Sequence, residues 1–235
     1  MLKIVCFKWK PVNFYRTYFG GEQVNILRNM VKRHLTIPHE FICITDNAEG
    51  IDPDIKIIPL WESPVKKFGG ILKPNCFTRI RAFSKEMKEI IGDEFCWLDL
   101  DCVILNNIDS LFHGHATFRM WEATNPENYY NGSMVYMQAG ARAEVWEKFN
   151  PETSPREAAD AGFVGSDQAW ISHILGKGEQ TYNAMDGVYT YRYIRDRFTP
   201  DQYPQNARIV FFPGKFNPWD EVLQMHHSWI KNNYF

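Results

Sequence analysis

Phe95-Cys96-Trp97-Leu98-Asp99-Leu100-Asp101 is an apolar run that ends in two acids. Four consecutive apolar residues suit a strand covered on both faces, as central parallel strands are. Acids at the end of such a strand are delivered to the carboxyl edge of the sheet, where open α/β sheets bind ligands. Period two puts Asp99 and Asp101 on one side of an extended chain or on the turn that follows.

Upstream, Lys3 to Trp9 reads as a buried strand. Val24, Leu27, Val31 and Leu35 then recur at helical spacing, and Glu40 to Thr45 reads as a second strand. Ile55 to Leu60 forms a third short strand ended by proline. A second helix, from Lys73 to near Gly92, carries Phe77, Ile80, Phe83 and Met87 on one face. Downstream of Asp109 the pattern changes to short strands, Ala116 to Met120 and Ser133 to Met137, and short helices. The expected fold class is therefore α/β, with a mixed, mainly parallel, Rossmann-like central sheet flanked by helices. One domain over 1–235 is expected, with a ligand-binding half over 1–105 and an acceptor-side half over 106–235.

Composition narrows the class. Hydrophobic residues make up 45% and charged residues 23% of 235 residues, ordinary values that exclude disordered and fibrous chains. A formal net charge of -2 gives no long-range field for a polyanion. No apolar run approaches a membrane span, and the run before Lys8 is too short for a signal peptide. Five widely spaced cysteines, an odd number, sit mostly in apolar runs, which suits reduced thiols and a cytoplasmic location.

Two carboxylates a few ångströms apart repel unless a cation neutralises them. Hard oxygen ligands suit Mg²⁺ or Mn²⁺, which can bridge such a pair to a diphosphate. The alternative is a pair of acids that solvates a strand end. Asp-Leu-Asp-Cys-Val also looks like the nucleophile motif of haloacid-dehalogenase-type phosphatases. That motif normally closes the first strand, however, and about a hundred residues precede it here.

At this point the chain resembles the GT-A glycosyltransferases, in particular the glycogenin-like and bacterial family 8 enzymes. The landmarks run in order from Ile4 to Trp219: a first strand with an aromatic-rich loop, a Lys/Arg-bearing helix, the acidic pair, Asn131-Gly132-Ser133, Asp167-Gln168, and a late Gly-Lys-X-X-Pro-Trp segment. The resemblance implies transfer of a sugar from a nucleotide-sugar donor, UDP-sugar first, to an acceptor hydroxyl with retention. It also implies a Mn²⁺ or Mg²⁺ cofactor on Asp99 and Asp101.

The same resemblance recruits Phe7, Lys8, Trp9 and Tyr15 to the base and ribose, with Asp46 at the end of the second strand. Lys73 and Arg79 fall to the diphosphate, since cations there neutralise phosphate charge. Asn131, Gly132 and Ser133 fall to the transferred sugar, although Asn-Gly is also a strong hairpin signal. Asp167 and Gln168 fall to the sugar hydroxyls and the anomeric carbon, while Ser166 reads equally as the cap of a helix from Asp167 to Leu175. Gly214 and Lys215 carry the late phosphate contact. The family's histidine before that glycine is missing and Asn217 stands at its lysine position, so His226 or His227 is left as the third metal ligand. The missing residues also leave open a nucleotide-sugar, glycan or nucleic-acid binding module without catalysis. Tyr189 to Phe198 interleaves rings and cations, as a grip on a glycan or nucleic acid or as a solvated face. The acceptor is thus a glycan, a protein or a modified nucleic-acid base.

Overall fold

Strand β1 (Leu2–Lys8) is buried at six of its seven residues, because helices and loops cover both faces of the sheet it centres. The computed structural model describes residues 1–10, 18–64, 66, 67, 71, 72, 75–114 and 116–235. After β1 come α1 (Gly21–His34), β2 (His39–Thr45), β3 (Lys56–Pro59) and a two-stranded ribbon of β4 (Lys66–Lys67) and β5 (Ile71–Leu72). A 3-10 helix (Cys76–Phe83), α2 (Met87–Ile90), β6 (Glu94–Leu98) and β7 (Cys102–Ile104) follow. The remainder supplies β8 (Phe118–Glu122), β9 (Tyr130–Gln138), α3 (Glu144–Glu147), α4 (Ser154–Asp160), α5 (Asp167–Leu175), β10 (Thr181–Tyr182), β11 (Val188–Thr190), α6 (Tyr191–Arg197), β12 (Ile209–Phe211), α7 (Glu221–His226) and α8 (Ser228–Lys231).

Among the described residues the main sheet has the order β10-β8-β9-β6-β1-β2-β3. The pairings β1 with β2, β1 with β6, β2 with β3 and β10 with β8 are parallel, while β9 is antiparallel to both β6 and β8. A smaller sheet, β11-β12-β7, joins a strand from before residue 105 to two from after it. Period two divides the core. Along β6, Cys96 and Leu98 face a cluster that includes α1, β7 and β12, while Phe95 and Trp97 face one built on Phe83 and Trp170. Each of these fully buried large side chains contributes about 2–3 kcal/mol through removal from water.

Helix α1 forms as its spacing predicts, burying Val24, Leu27, Met30 and Val31. Its first turn is closed by Gln23, whose Oε1 accepts the Gly20 amide at 2.7 Å, and Lys32, Arg33 and His34 complement the dipole at its end.

The helix expected from Lys73 through Met87 is not continuous. Asn75 starts a 3-10 run by accepting the Phe77 amide on Oδ1 at 2.9 Å, and extended backbone at Ser84 separates that run from α2. A 3-10 helix eclipses residues three apart. Cys76, Arg79 and Ala82 therefore fall in line and all three are buried. The Asn131-Gly132 pair does not turn; it lies inside the nine-residue β9, opposite an irregular register at Met120/Trp121.

Candidate functional site

Strand β6 runs parallel to β1 and ends at Leu98, so Asp99-Leu100-Asp101 leaves the sheet at its carboxyl edge. Two backbone bonds pin this turn. The Asp99 amide donates to the Ser133 carbonyl at 2.8 Å, and the Phe212 amide donates to the Asp101 carbonyl at 2.8 Å. Asn131-Gly132-Ser133 and the end of β12 are thereby held on either side of the acidic pair. Burial pushes the Cys102 thiol well up, and Asp101 and Asp99 push it further, which places both carboxylates close to the root of β7.

Arg79 organises the site from below. Its Nη1 donates to Asp99 Oδ1 at 2.5 Å and to the Gly132 carbonyl at 3.2 Å, while Nη2 lies 2.7 Å from Asp167 Oδ2. Burial works against the cation, but Asp167 and Asp99 outweigh it and hold the guanidinium charged. Side-chain exposure falls from 29% at Asp99 to 7% at Arg79 and 3% at Asp167, so the ion pairs run inward from an open carboxylate. Arg79 is thus committed to two acids of the chain itself.

The Gly132 carbonyl takes a second donor, the Trp97 indole N–H at 2.7 Å. A β-carbon on Gly132 would stand 3.0 Å from Asp167 Oδ2 and 3.1 Å from Arg79 Nη2, so the ion pair occupies the space of a side chain. Gly132→Ala is expected to cost about 1–3 kcal/mol through overpacking, read as a lower urea midpoint at unchanged slope.

Asp167 opens α5, where its charge favours the helix dipole. Ser166 does not cap that helix with its side chain: its hydroxyl donates to Asp167 Oδ1 at 3.1 Å. Gln168 is half-buried and packs its amide beside Gly165.

The amino-terminal group is placed differently from the expectation. Phe7 is a core residue, 9% exposed and edge-on to Trp61 and Trp97 at 5.7 and 5.9 Å, because its position on β1 faces the inner cluster. Lys8 is buried with its ammonium on the Asn47 carbonyl at 2.6 Å, which removes it as an open cation. Trp9 is half-buried, and Asp46 is exposed, accepting the Lys10 amide at 3.2 Å. Tyr15 and Lys73 lie outside the described residues.

Gly214, at φ +89°, and exposed Lys215 follow β12 two and three residues beyond the backbone partner of Asp101. His226 is exposed on α7. His227 is buried against the Tyr191 hydroxyl at 2.9 Å and the Pro200 carbonyl. Among the described residues no three His, Cys, Asp or Glu gather to hold a metal, so His226 does not complete a triad with Asp99 and Asp101.

Trp97 was not singled out in the sequence as a site residue. The available signal was a tryptophan within a buried strand, whose N–H needs a partner.

No protein-family model matches the chain, and no curated protein matches its sequence. Solved structures do. The galactosyltransferase LgtC, in complex with donor and acceptor sugar analogs, is similar over 99% of this chain and 96% of its own, with a TM-score of 0.61 at 11% identity. An active-site mutant of LgtC aligns over 98% of this chain and 95% of its own, with a TM-score of 0.60 at 10% identity. The glycosyltransferase GlyE of Streptococcus pneumoniae TIGR4 aligns over 96% of this chain and 60% of its own, with a TM-score of 0.57 at 12% identity. The fold is thus the GT-A glycosyltransferase fold, a mixed α/β architecture on a mainly parallel sheet.

Proposed function

We propose that the chain is a glycosyltransferase that takes a sugar from a nucleotide-sugar donor, most simply a UDP-sugar, and passes it to an acceptor hydroxyl. The observation that carries this reading is the Asp99–Arg79–Asp167 chain of ion pairs beneath the carboxyl edge of β6. It fixes one carboxylate of the acidic pair, whose side chain is 29% exposed, in a fold shared with LgtC over nearly the whole chain.

The donor set fits a hard divalent ion. Mg²⁺ characteristically takes one or two carboxylates and leaves its remaining positions to phosphate oxygens and water, so a third protein ligand is not required. Asp99 and Asp101 would hold Mn²⁺ or Mg²⁺, which when bound supplies positive charge against the leaving nucleoside diphosphate. Arg79 keeps Asp99 oriented. Asn131, Gly132, Ser133, Asp167 and Gln168 border the sugar in this reading, Gly214 and Lys215 border the phosphates, and Trp9 and Asp46 lie toward the base. Retention of anomeric configuration belongs to the same proposal. Five buried, free thiols support a reducing compartment such as the cytoplasm. No helix among the described residues is long and apolar enough to cross a membrane.

A donor screen tests the reading. The protein is incubated with Mn²⁺ and a panel of UDP- and GDP-sugars, and slow hydrolysis is scored by mass spectrometry. One UDP-sugar is expected to be consumed and EDTA to stop its consumption. Binding of UDP with no donor consumed, in the presence of any acceptor tried, would reassign the chain as a binding module.

A further inference from the structure

A cleft of about 320 Å³ lies near Asn131 and Gly214, on the two segments that flank the acidic pair. Glu122 and Thr124 line it from the end of β8, and Tyr189, Arg192 and Tyr193 line it from β11 and α6. Asn131 donates through its side-chain Nδ2 to Thr124 Oγ1 at 3.5 Å, and Arg192 Nη2 lies 4.0 Å from where a β-carbon on Gly214 would stand. The cleft therefore opens off both segments that flank Asp99 and Asp101.

The charges on its wall are unevenly committed. Asp196 is paired at 2.6 Å with Arg195, which lies outside the lining and over the Phe216 ring, and Arg197 covers the Tyr193 ring at 4.4 Å. Arg192 is exposed and makes no ion pair or hydrogen bond with any described residue. With Asp196 neutralised, Glu122 is the acid left to balance Arg192 and Arg197. The wall is locally positive on a chain whose formal net charge is -2. A guanidinium free to make two parallel hydrogen bonds is the strongest recognition group for a carboxylate or phosphate.

The rings argue against a nucleic-acid strand, which needs open faces in succession. Trp121 and Tyr189 are 3% and 8% exposed; Tyr193, 37% exposed and flanked by Tyr189 and Arg197, is the one open ring of the three, so the wall offers no succession of faces. What remains is hydroxyls, the Asn183 amide, and the carboxylates of Glu122 and the Arg195-paired Asp196, a wall suited to sugar hydroxyls.

We infer that this cleft takes an acidic saccharide, with its carboxylate or phosphate on Arg192, and that this saccharide is the acceptor. The last step rests on the glycosyltransferase reading; the binding does not.

The test is an array of oligosaccharides matched in threes, identical except for a terminal neutral hexose, hexuronate or hexose phosphate. It is probed with the full chain in UDP and Mn²⁺. Acidic members are expected to be retained at least about tenfold better than their neutral partners, and Arg192→Gln to reduce that preference to about threefold or less with an unchanged melting temperature. The hexuronate and phosphate arms identify which acid is read. Equal retention of neutral members, no retention of any member, or a preference that survives in Arg192→Gln overturns the inference. So does displacement of the acidic members by a lower concentration of single-stranded oligonucleotide. Because retention is recorded without donor turnover, acidic glycans that bind while no donor is hydrolysed would remove only the enzymatic reading.

Discussion

Arg79→Met is expected to destabilise the protein by about 3–5 kcal/mol, because removing one partner strands a buried charge. Asp167 is the reason. Its side chain is 3% exposed, and its charge partner is Arg79 Nη2 at 2.7 Å. Methionine fills similar volume and satisfies neither carboxylate. At about 2–4 °C per kcal/mol for a chain of this size, the melting temperature should fall by roughly 10 °C, measurable by calorimetry. The double variant Arg79→Met/Asp167→Leu removes charge on both sides and should recover a large part of the loss, since an apolar replacement of a whole buried pair is often neutral. A fall below about 1 kcal/mol in the single variant would mean that the ion-pair account of the site is wrong.

Asp99→Asn should separate activity from stability. The Asp99 side chain is 29% exposed, so its pair with Arg79 contributes on the order of 1 kcal/mol or less. Arg79 retains Asp167 and the Gly132 carbonyl, and the fold should survive. Donor consumption should drop by about 10²-fold, the usual cost of deleting one preorganised charge beside a developing one. Turnover of the preferred UDP-sugar by the Asp99→Asn variant at the unsubstituted rate would remove Asp99 from the site.

How much of this was readable in advance depended on the range of the interactions. The apolar run into Asp99 and the β-α-β pattern before it are local, and β1, α1, β2 and β6 fall where periodicity puts them. Helix α5 runs from Asp167 to Leu175 as read from the sequence, although Ser166 does not cap it through its side chain. The failures are non-local. Nothing in Cys76 to Phe83 distinguishes a 3-10 run from an α-helix until Arg79 is drawn toward acids just after β6 and at the start of α5. Asn131-Gly132 has the composition of a turn, but pairing of β9 with β6 and β8 holds it extended. Phe7 and Lys8 carry side-chain types that suit a ligand, and only burial of both faces of β1 reveals them as internal. The guanidinium's role was partly visible: the sequence marks Arg79 as a cation near the acids, and the fold assigns it to them rather than to phosphate.

The order of strands has a consequence for biogenesis. A ribosome that has delivered residues through Leu105 has made β6 without β9 and β7 without β12, and both neighbours arrive only as later segments emerge. Until then an apolar strand edge stands open, the kind that pairs with other chains. The nascent amino-terminal half therefore needs sheltering while its carboxyl-terminal partner strands are still being translated.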